Sequence, residues 1–207
     1  MGGKKEVLRK IEAVVSPGTI IGSNTSAIPI SILQQGMVHP ERVLGIHWGK
    51  PAQTLRSMEI ICGDQTDPRF AERARKLAQG WGKEPSVLRR NIPGFITNRC
   101  FYALLREAFH LVEADYATIE DVDRSLRNDY GYWITFAGPF RFMDLTGIAA
   151  YAAVMQGLFP DLDCSREVPA FMRRGVDSGA QGLSKGKGFL QIYAGPGEAL
   201  GEALHEV

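Results

Sequence analysis

The chain has 207 residues, with 24 basic against 23 acidic side chains, a formal net charge of +1 and 44% hydrophobic residues. This is enough to bury a sizeable core, and the near-neutral charge gives no reason to propose a nucleic acid or a membrane surface as partner. No signal peptide and no apolar run of ~18 residues is legible, so export and membrane spanning are not expected.

In chain order, Lys4 to Val15 carries apolar residues at 7, 8, 11, 14 and 15 opposite a charged face, which predicts an amphipathic helix over 4–15. A strand is expected at 19–23, a short helix at 29–35, strands near 43–47 and 57–62, a helix at 68–79 and a strand near 86–89. Asp67 before Pro68 marks a helix start by cap and first-turn proline, and Gly80 a stop. From Asn98 the pattern turns helical. Phe101, Leu104, Leu105, Ala108, Phe109, Leu111 and Val112 are apolar over more than one face, as in a helix buried on several sides. Thr118-Ile119-Glu120-Asp121 has the form of a capping box. Gly138-Pro139 precedes a helix at roughly 140–156, and residues 166–179 read as another. The fold class is therefore α/β, a partial Rossmann-like domain over 1–92, followed by an all-α helical domain over 93–207.

Val43-Leu44-Gly45-Ile46-His47 is an apolar run ending in an imidazole, and Ser57-Met58-Glu59-Ile60-Ile61 is a second such run holding one carboxylate. If the two runs meet in one sheet, Glu59 accepts a hydrogen bond from one ring nitrogen of His47, fixes its tautomer and leaves the other nitrogen free as a base. Taken singly, these residues have plainer roles: His47 as a structural histidine, Glu59 as a strand-edge charge, Ser26 and Asn98 as helix caps. His39, His110 and His205 form no ligand pair at helical spacing. Cys62, Cys100 and Cys164 are scattered and odd in number. No metal is expected, and the cysteines read as reduced thiols of a cytoplasmic protein.

The order of segments resembles the L-3-hydroxyacyl-CoA dehydrogenase family. Ile20-Ile21-Gly22-Ser23-Asn24-Thr25-Ser26 is similar to that family's strand and Asn-Thr-Ser turn. Gly45-Ile46-His47-Trp48-Gly49-Lys50-Pro51 resembles its histidine motif, usually Gly-Leu-His-Phe-Phe-Asn-Pro. Met58-Glu59-Ile60 and Pro93-Gly94-Phe95-Ile96-Thr97-Asn98-Arg99 resemble its Val-Glu-Val and Pro-Gly-Phe-Ile-x-Asn-Arg segments. Gly138-Pro139-Phe140, Asp144 with Gly147, and Gly186-Lys187-Gly188-Phe189 are similar to its later signatures.

The resemblance implies NAD-dependent oxidation of the 3-hydroxyl of a 3-hydroxyacyl-CoA or related 3-hydroxy acid. His47 would be the base, Glu59 its orienting partner, and Ser26 and Asn98 would hold the reacting oxygen. Asn24 and Ser26 would lie near the nicotinamide, and Lys4 near the cofactor. Lys50 replaces an amide expected beside the nicotinamide; an ammonium only donates, and it reads equally as a solvated loop charge or a contact to a substrate anion. The resemblance also implies a homodimer through the helical domain. No Gly-x-Gly-x-x-Gly leading into a helix occurs in these residues, as the pyrophosphate site of such a domain requires. Compared with the family, the chain therefore reads as N-terminally truncated. The alternative function is a non-catalytic remnant that associates through its helical domain.

Overall fold

The computed structural model describes residues 2–180 together with Gly182, Gly188 and Phe189. Two compact units are present, Met1–Phe101 and Tyr102–Val207.

The first unit is built on a four-stranded sheet in the order β1-β2-β3-β4, with β1 Ile21–Ser23, β2 Val43–Trp48, β3 Ser57–Cys62 and β4 Glu84–Leu88. β1 pairs parallel to β2 and β3 parallel to β4, whereas β2 and β3 run antiparallel. Side chains alternate across a strand, so the sheet has two cores. Ile21, Val43 and Ile61 lie on one face with Leu8, Ile30, Leu33 and Phe95. Leu44, Ile60 and Cys62 lie on the other with Ala71 and Ala74.

The helices of this unit are α1 Gly2–Val14, α2 Ile30–Gln34 and α3 Pro68–Gly80. The Asp67 carboxylate caps α3, accepting from Arg69 N–H at 2.8 Å, and Pro68 occupies the first turn. Two buried polar groups lock the helical layer to the sheet. Gln34 Nε2 donates to Val43 O, Pro40 O and Thr66 Oγ1, and its Oε1 accepts from Gln65 N–H. Arg42, 1% exposed, donates to Ser16 O beside the Glu12 carboxylate, which itself accepts from Val38 and His39 N–H.

The helical part comprises α4 Thr97–Glu113, α5 Ile119–Asn128, α6 Tyr130–Trp133, α7 Pro139–Thr146, α8 Ile148–Leu158 and α9 Ala170–Asp177. Thr118 Oγ1 caps α5 by accepting from Asp121 N–H at 3.1 Å. Two expectations are corrected. The helix expected over 140–156 is two helices, because Gly147 takes a positive φ of 113° between them, a conformation glycine tolerates without a Cβ penalty. The multi-sided burial expected of α4 is not found: none of its residues is fully buried. Leu105, Ala108, Phe109 and Val112 line an open apolar pocket of about 630 Å³ together with Phe171 and Phe189, whose rings lie 6.2 and 5.9 Å from that of Phe109, and this face is left partly exposed. Among the described residues no single helix is long and apolar enough to cross a membrane.

Candidate active site

The antiparallel register of β2 and β3 sets His47 directly opposite Glu59. Their side chains emerge on the same face as Val43 and Ile61, and cross-strand partners on one face lie close enough to bond. His47 Nδ1 is 2.9 Å from Glu59 Oε2. On the other side of the ring, Nε2 is 3.0 Å from Ser26 Oγ. The imidazole is therefore held at both nitrogens.

Glu59 is 3% exposed, and a carboxylate removed from water needs donors. Its second oxygen receives two: Ile96 N–H at 2.8 Å and Thr97 N–H at 3.0 Å, the opening amides of α4. A helix N-terminus offers unpaired N–H groups and a favourable dipole for an anion. The turn that aims these amides bends sharply, with Gly94 at φ 81° and Phe95 at φ 55°. A left-handed non-glycine residue is uncommon and persists where its surroundings fix it. Phe95 is buried, its ring meeting the His47 ring edge-on at a centroid distance of 5.3 Å.

These bonds assign the proton positions. As a carboxylate Glu59 is acceptor-only, so the facing His47 Nδ1 carries hydrogen. The neutral ring then presents a bare Nε2 toward the Ser26 hydroxyl. A group placed at Ser26 and Nε2 meets one donor and one proton acceptor.

The remaining expected residues are distributed around this chain of bonds. Asn98 is half-buried in the first turn of α4, directly after Thr97. Asn24 Oδ1 accepts from Trp48 N–H at 3.4 Å, tying the β1 turn to the strand of His47. Thr25 Oγ1 closes that turn, accepting from Ile28 N–H at 2.9 Å. Lys50 is exposed in the β2–β3 connection, and Lys4 is exposed in the first turn of α1. Among the described residues neither lysine, nor Asn98, is hydrogen-bonded to Ser26, His47 or Glu59. Sequence reasoning missed Phe95 and the amides of Ile96 and Thr97. The available signal was physical: a buried glutamate in a strand demands donors, and the nearest unsatisfied donors are those of a helix start.

Both parts of the chain match known proteins. Residues 1–92 match the family model described as 3-hydroxyacyl-CoA dehydrogenase, NAD binding domain, and residues 94–192 match that of 3-hydroxyacyl-CoA dehydrogenase, C-terminal domain. The chain is 35% identical to 5-formyl-3-hydroxy-2-methylpyridine 4-carboxylate 5-dehydrogenase of Mesorhizobium japonicum, over 90% of its own length and 60% of that protein's. It is 37% identical to L-carnitine dehydrogenase of Oceanobacillus iheyensis over 70% of its length and 47% of that protein's. A crystal structure of 5-formyl-3-hydroxy-2-methylpyridine 4-carboxylic acid 5-dehydrogenase, described as an NAD+ dependent dismutase, superposes with a TM-score of 0.90 at 33% identity, covering 99% of this chain and 67% of that one. The chain thus spans 60% and 47% of the lengths of the two curated relatives. With both family models matched in sequence order and together covering nearly all of the chain, the protein belongs to the 3-hydroxyacyl-CoA dehydrogenase family of NAD-dependent oxidoreductases.

Proposed function

We propose that this site oxidises the hydroxyl of a small hydroxy compound bearing a free carboxylate, with His47 as general base. The observation that carries the reading is the continuous chain from Ser26 Oγ through the His47 ring to Glu59 and the α4 amides. Ser26 donates a hydrogen bond to the substrate oxygen, and bare Nε2 of His47 takes the hydroxyl proton. Glu59 stabilises the imidazolium that results, itself neutralised by Ile96 and Thr97 N–H. Asn98 supports the same oxygen from the first turn of α4.

The residues present fit one end of NAD. In α/β sheets ligands bind outside the carboxyl ends of the strands. Asn24 and Ser26 follow the carboxyl end of β1, and His47 lies near that of its parallel neighbour β2. Asn24, with Ser26, would hold the nicotinamide end, and Lys4 would meet the cofactor from α1. The 207 residues include no Gly-x-Gly-x-x-Gly turn entering a helix, so they supply no cradle of that kind for the pyrophosphate. When bound, NAD accepts the carbon-bound hydrogen of the substrate as hydride.

Two points favour a carboxylate over a thioester. The relatives matched at 35% and 37% identity are named for a pyridine 4-carboxylate and for L-carnitine, itself a 3-hydroxy acid. Lys50, exposed and without an ion-pair partner among the described residues, stands three positions past the base and supplies the cation such a substrate needs. Assembly as a homodimer through the helical domain, 93–207, is the companion proposal, supported by Phe140, Leu145 and Ile148 exposed together on α7 and α8.

The test is NADH formation by the purified chain with 3-hydroxy acids and with 3-hydroxybutyryl-CoA, next to saturable NAD binding by calorimetry. Turnover of the free acid should vanish in His47→Ala. Lys50→Gln should raise KM about tenfold, the worth of one charge-assisted hydrogen bond. Turnover unchanged in His47→Ala would overturn the reading, and turnover of the thioester alone would overturn the substrate class.

A further inference from the structure

The hairpin that carries His47 and Glu59 is closed by residues 49–56. That connection is longer than the turns of about two to five residues whose own geometry fixes a hairpin's register. Among its bonds are Gly49 N–H to Ser57 O at 3.3 Å, Leu55 N–H to Pro51 O at 3.1 Å and Thr54 Oγ1 to Pro51 O at 3.5 Å.

It is also fastened from outside. Lys83, in the link between α3 and β4, sends its ammonium to Ala52 O at 2.5 Å and to Leu55 O at 2.6 Å. The same Nζ lies 5.6 Å from the ring centroid of Trp48. Of the three donors of an ammonium, two serve these carbonyls, and the charge lies within cation–π range of the Trp48 face. Trp48 is the residue after His47, and its ring also stacks on Trp81, with centroids 5.8 Å apart and planes at 18°. Its backbone N–H reaches Asn24 Oδ1, two positions before Ser26. An unbroken path of contacts thus runs from Lys83 through Trp48 to the turn that holds Ser26 against His47.

We propose that Lys83 is a positioning residue for this site: it sets the loop between the two strands of the dyad and, through Trp48, the placement of His47 against Ser26 and of Lys50 beside the substrate. This rests on the reading of His47 as the base. Its carbonyl bonds occupy Lys83, so the anion contact is left to Lys50.

Lys83→Met keeps the stem against Trp48 and removes both hydrogen bonds, and Lys83→Arg restores a pair of donors. The first readouts need no turnover: amide hydrogen exchange at Gly49 and Leu55, and the ¹⁵N spectrum of the His47 ring. In Lys83→Met both amides should exchange about tenfold faster, and the fraction of neutral ring protonated at Nε2 should at least double. Turnover should fall about tenfold, the scale of a small misplacement of reacting groups, and KM for the carboxylate substrate should rise; Lys83→Arg should recover both. By contrast Lys50→Gln should move KM alone. A ring spectrum identical to the parent's, with loop amides nonetheless released, would overturn the proposal. Trp81→Leu, at an exposed position, is read in the same way and stands in if Lys83→Met does not fold. Because the ring spectrum is independent of catalysis, an inactive chain with a shifted tautomer supports the positioning role even as it counts against the oxidation itself.

Discussion

Replacing Glu59 by Gln isolates the assignment of protons in the site. The carboxylate accepts three N–H bonds, two from Ile96 and Thr97 at one oxygen and one from His47 at the other. A carboxamide has one acceptor oxygen and one NH₂, so it must choose. With its NH₂ toward α4 it would leave two amide hydrogens facing donors, at about 1–3 kcal/mol for each unsatisfied group. With its oxygen toward α4 it keeps both bonds and presents NH₂ to Nδ1 of His47. That costs only the charge-assisted bond, about 1.5–3 kcal/mol. The second arrangement wins, and it inverts the ring: Nδ1 becomes the acceptor, Nε2 carries hydrogen, and the lone pair facing Ser26 disappears. General-base catalysis, roughly 10² to 10⁴-fold, should then be lost from turnover while substrate binding is little changed. Ring ¹⁵N shifts at a pH where the imidazole is neutral would show the tautomer directly. A Glu59→Gln protein that keeps hydrogen on Nδ1, or that turns over within about threefold of the parent, refutes the assignment.

Three further outcomes follow from packing and charge. A Cβ at Gly63 would lie 2.3 Å from Gln34 Oε1, and Gln34 is held by four hydrogen bonds, so Gly63→Ala should destabilise by about 1–3 kcal/mol in urea unfolding. Burial pushes the Glu12 carboxyl up, but the N–H groups of Val38 and His39 and the charge of Arg42 outweigh it and hold it below its usual value. With the folded pKa below the unfolded one, this stabilisation is full above the unfolded value, about 4.3, and is lost as pH falls through the folded one. Glu12→Gln should therefore be less stable at neutral pH yet lose less on acidification, as read by unfolding midpoints across pH. Thr118→Ala removes the acceptor for Asp121 N–H and should cost about 1 kcal/mol of stability by thermal unfolding.

Much of the first unit was legible because its signals are local. Short apolar runs placed β2 and β3 within a residue of their observed ends, and Asp67-Pro68 fixed the start of α3 by a cap that chemistry alone dictates. The pairing of His47 with Glu59 was legible as a condition on two runs meeting in one sheet, and their register satisfies it. The α4 amides were invisible to pattern because any residue type supplies an N–H. Lys83 was invisible for a different reason: a lysine between a helix and a strand reads as a solvated charge, and only the fold brings the Ala52 and Leu55 carbonyls to it. The break at Gly147 is a backbone conformation that apolar periodicity does not register, and the pocket beside α4 depends on tertiary packing.

The distribution of constraint within the site bears on its chemistry. His47 and Glu59 sit on adjacent strands with buried neighbours on both faces of the sheet, the arrangement that holds a reacting geometry most tightly. Ser26 and Lys50, which would meet the substrate, are both exposed, one on a turn closed by Thr25 and the other on a loop fastened by Lys83. Proton transfer tolerates little displacement, whereas the recognition of one substrate over another is set by what the loops present. On this division, exchanging the cation at position 50 should change which molecule is oxidised and leave the His47 tautomer as it is; a change at Glu59 should do the reverse. A Lys50 variant with an altered ring spectrum would show instead that recognition and proton transfer share one constraint.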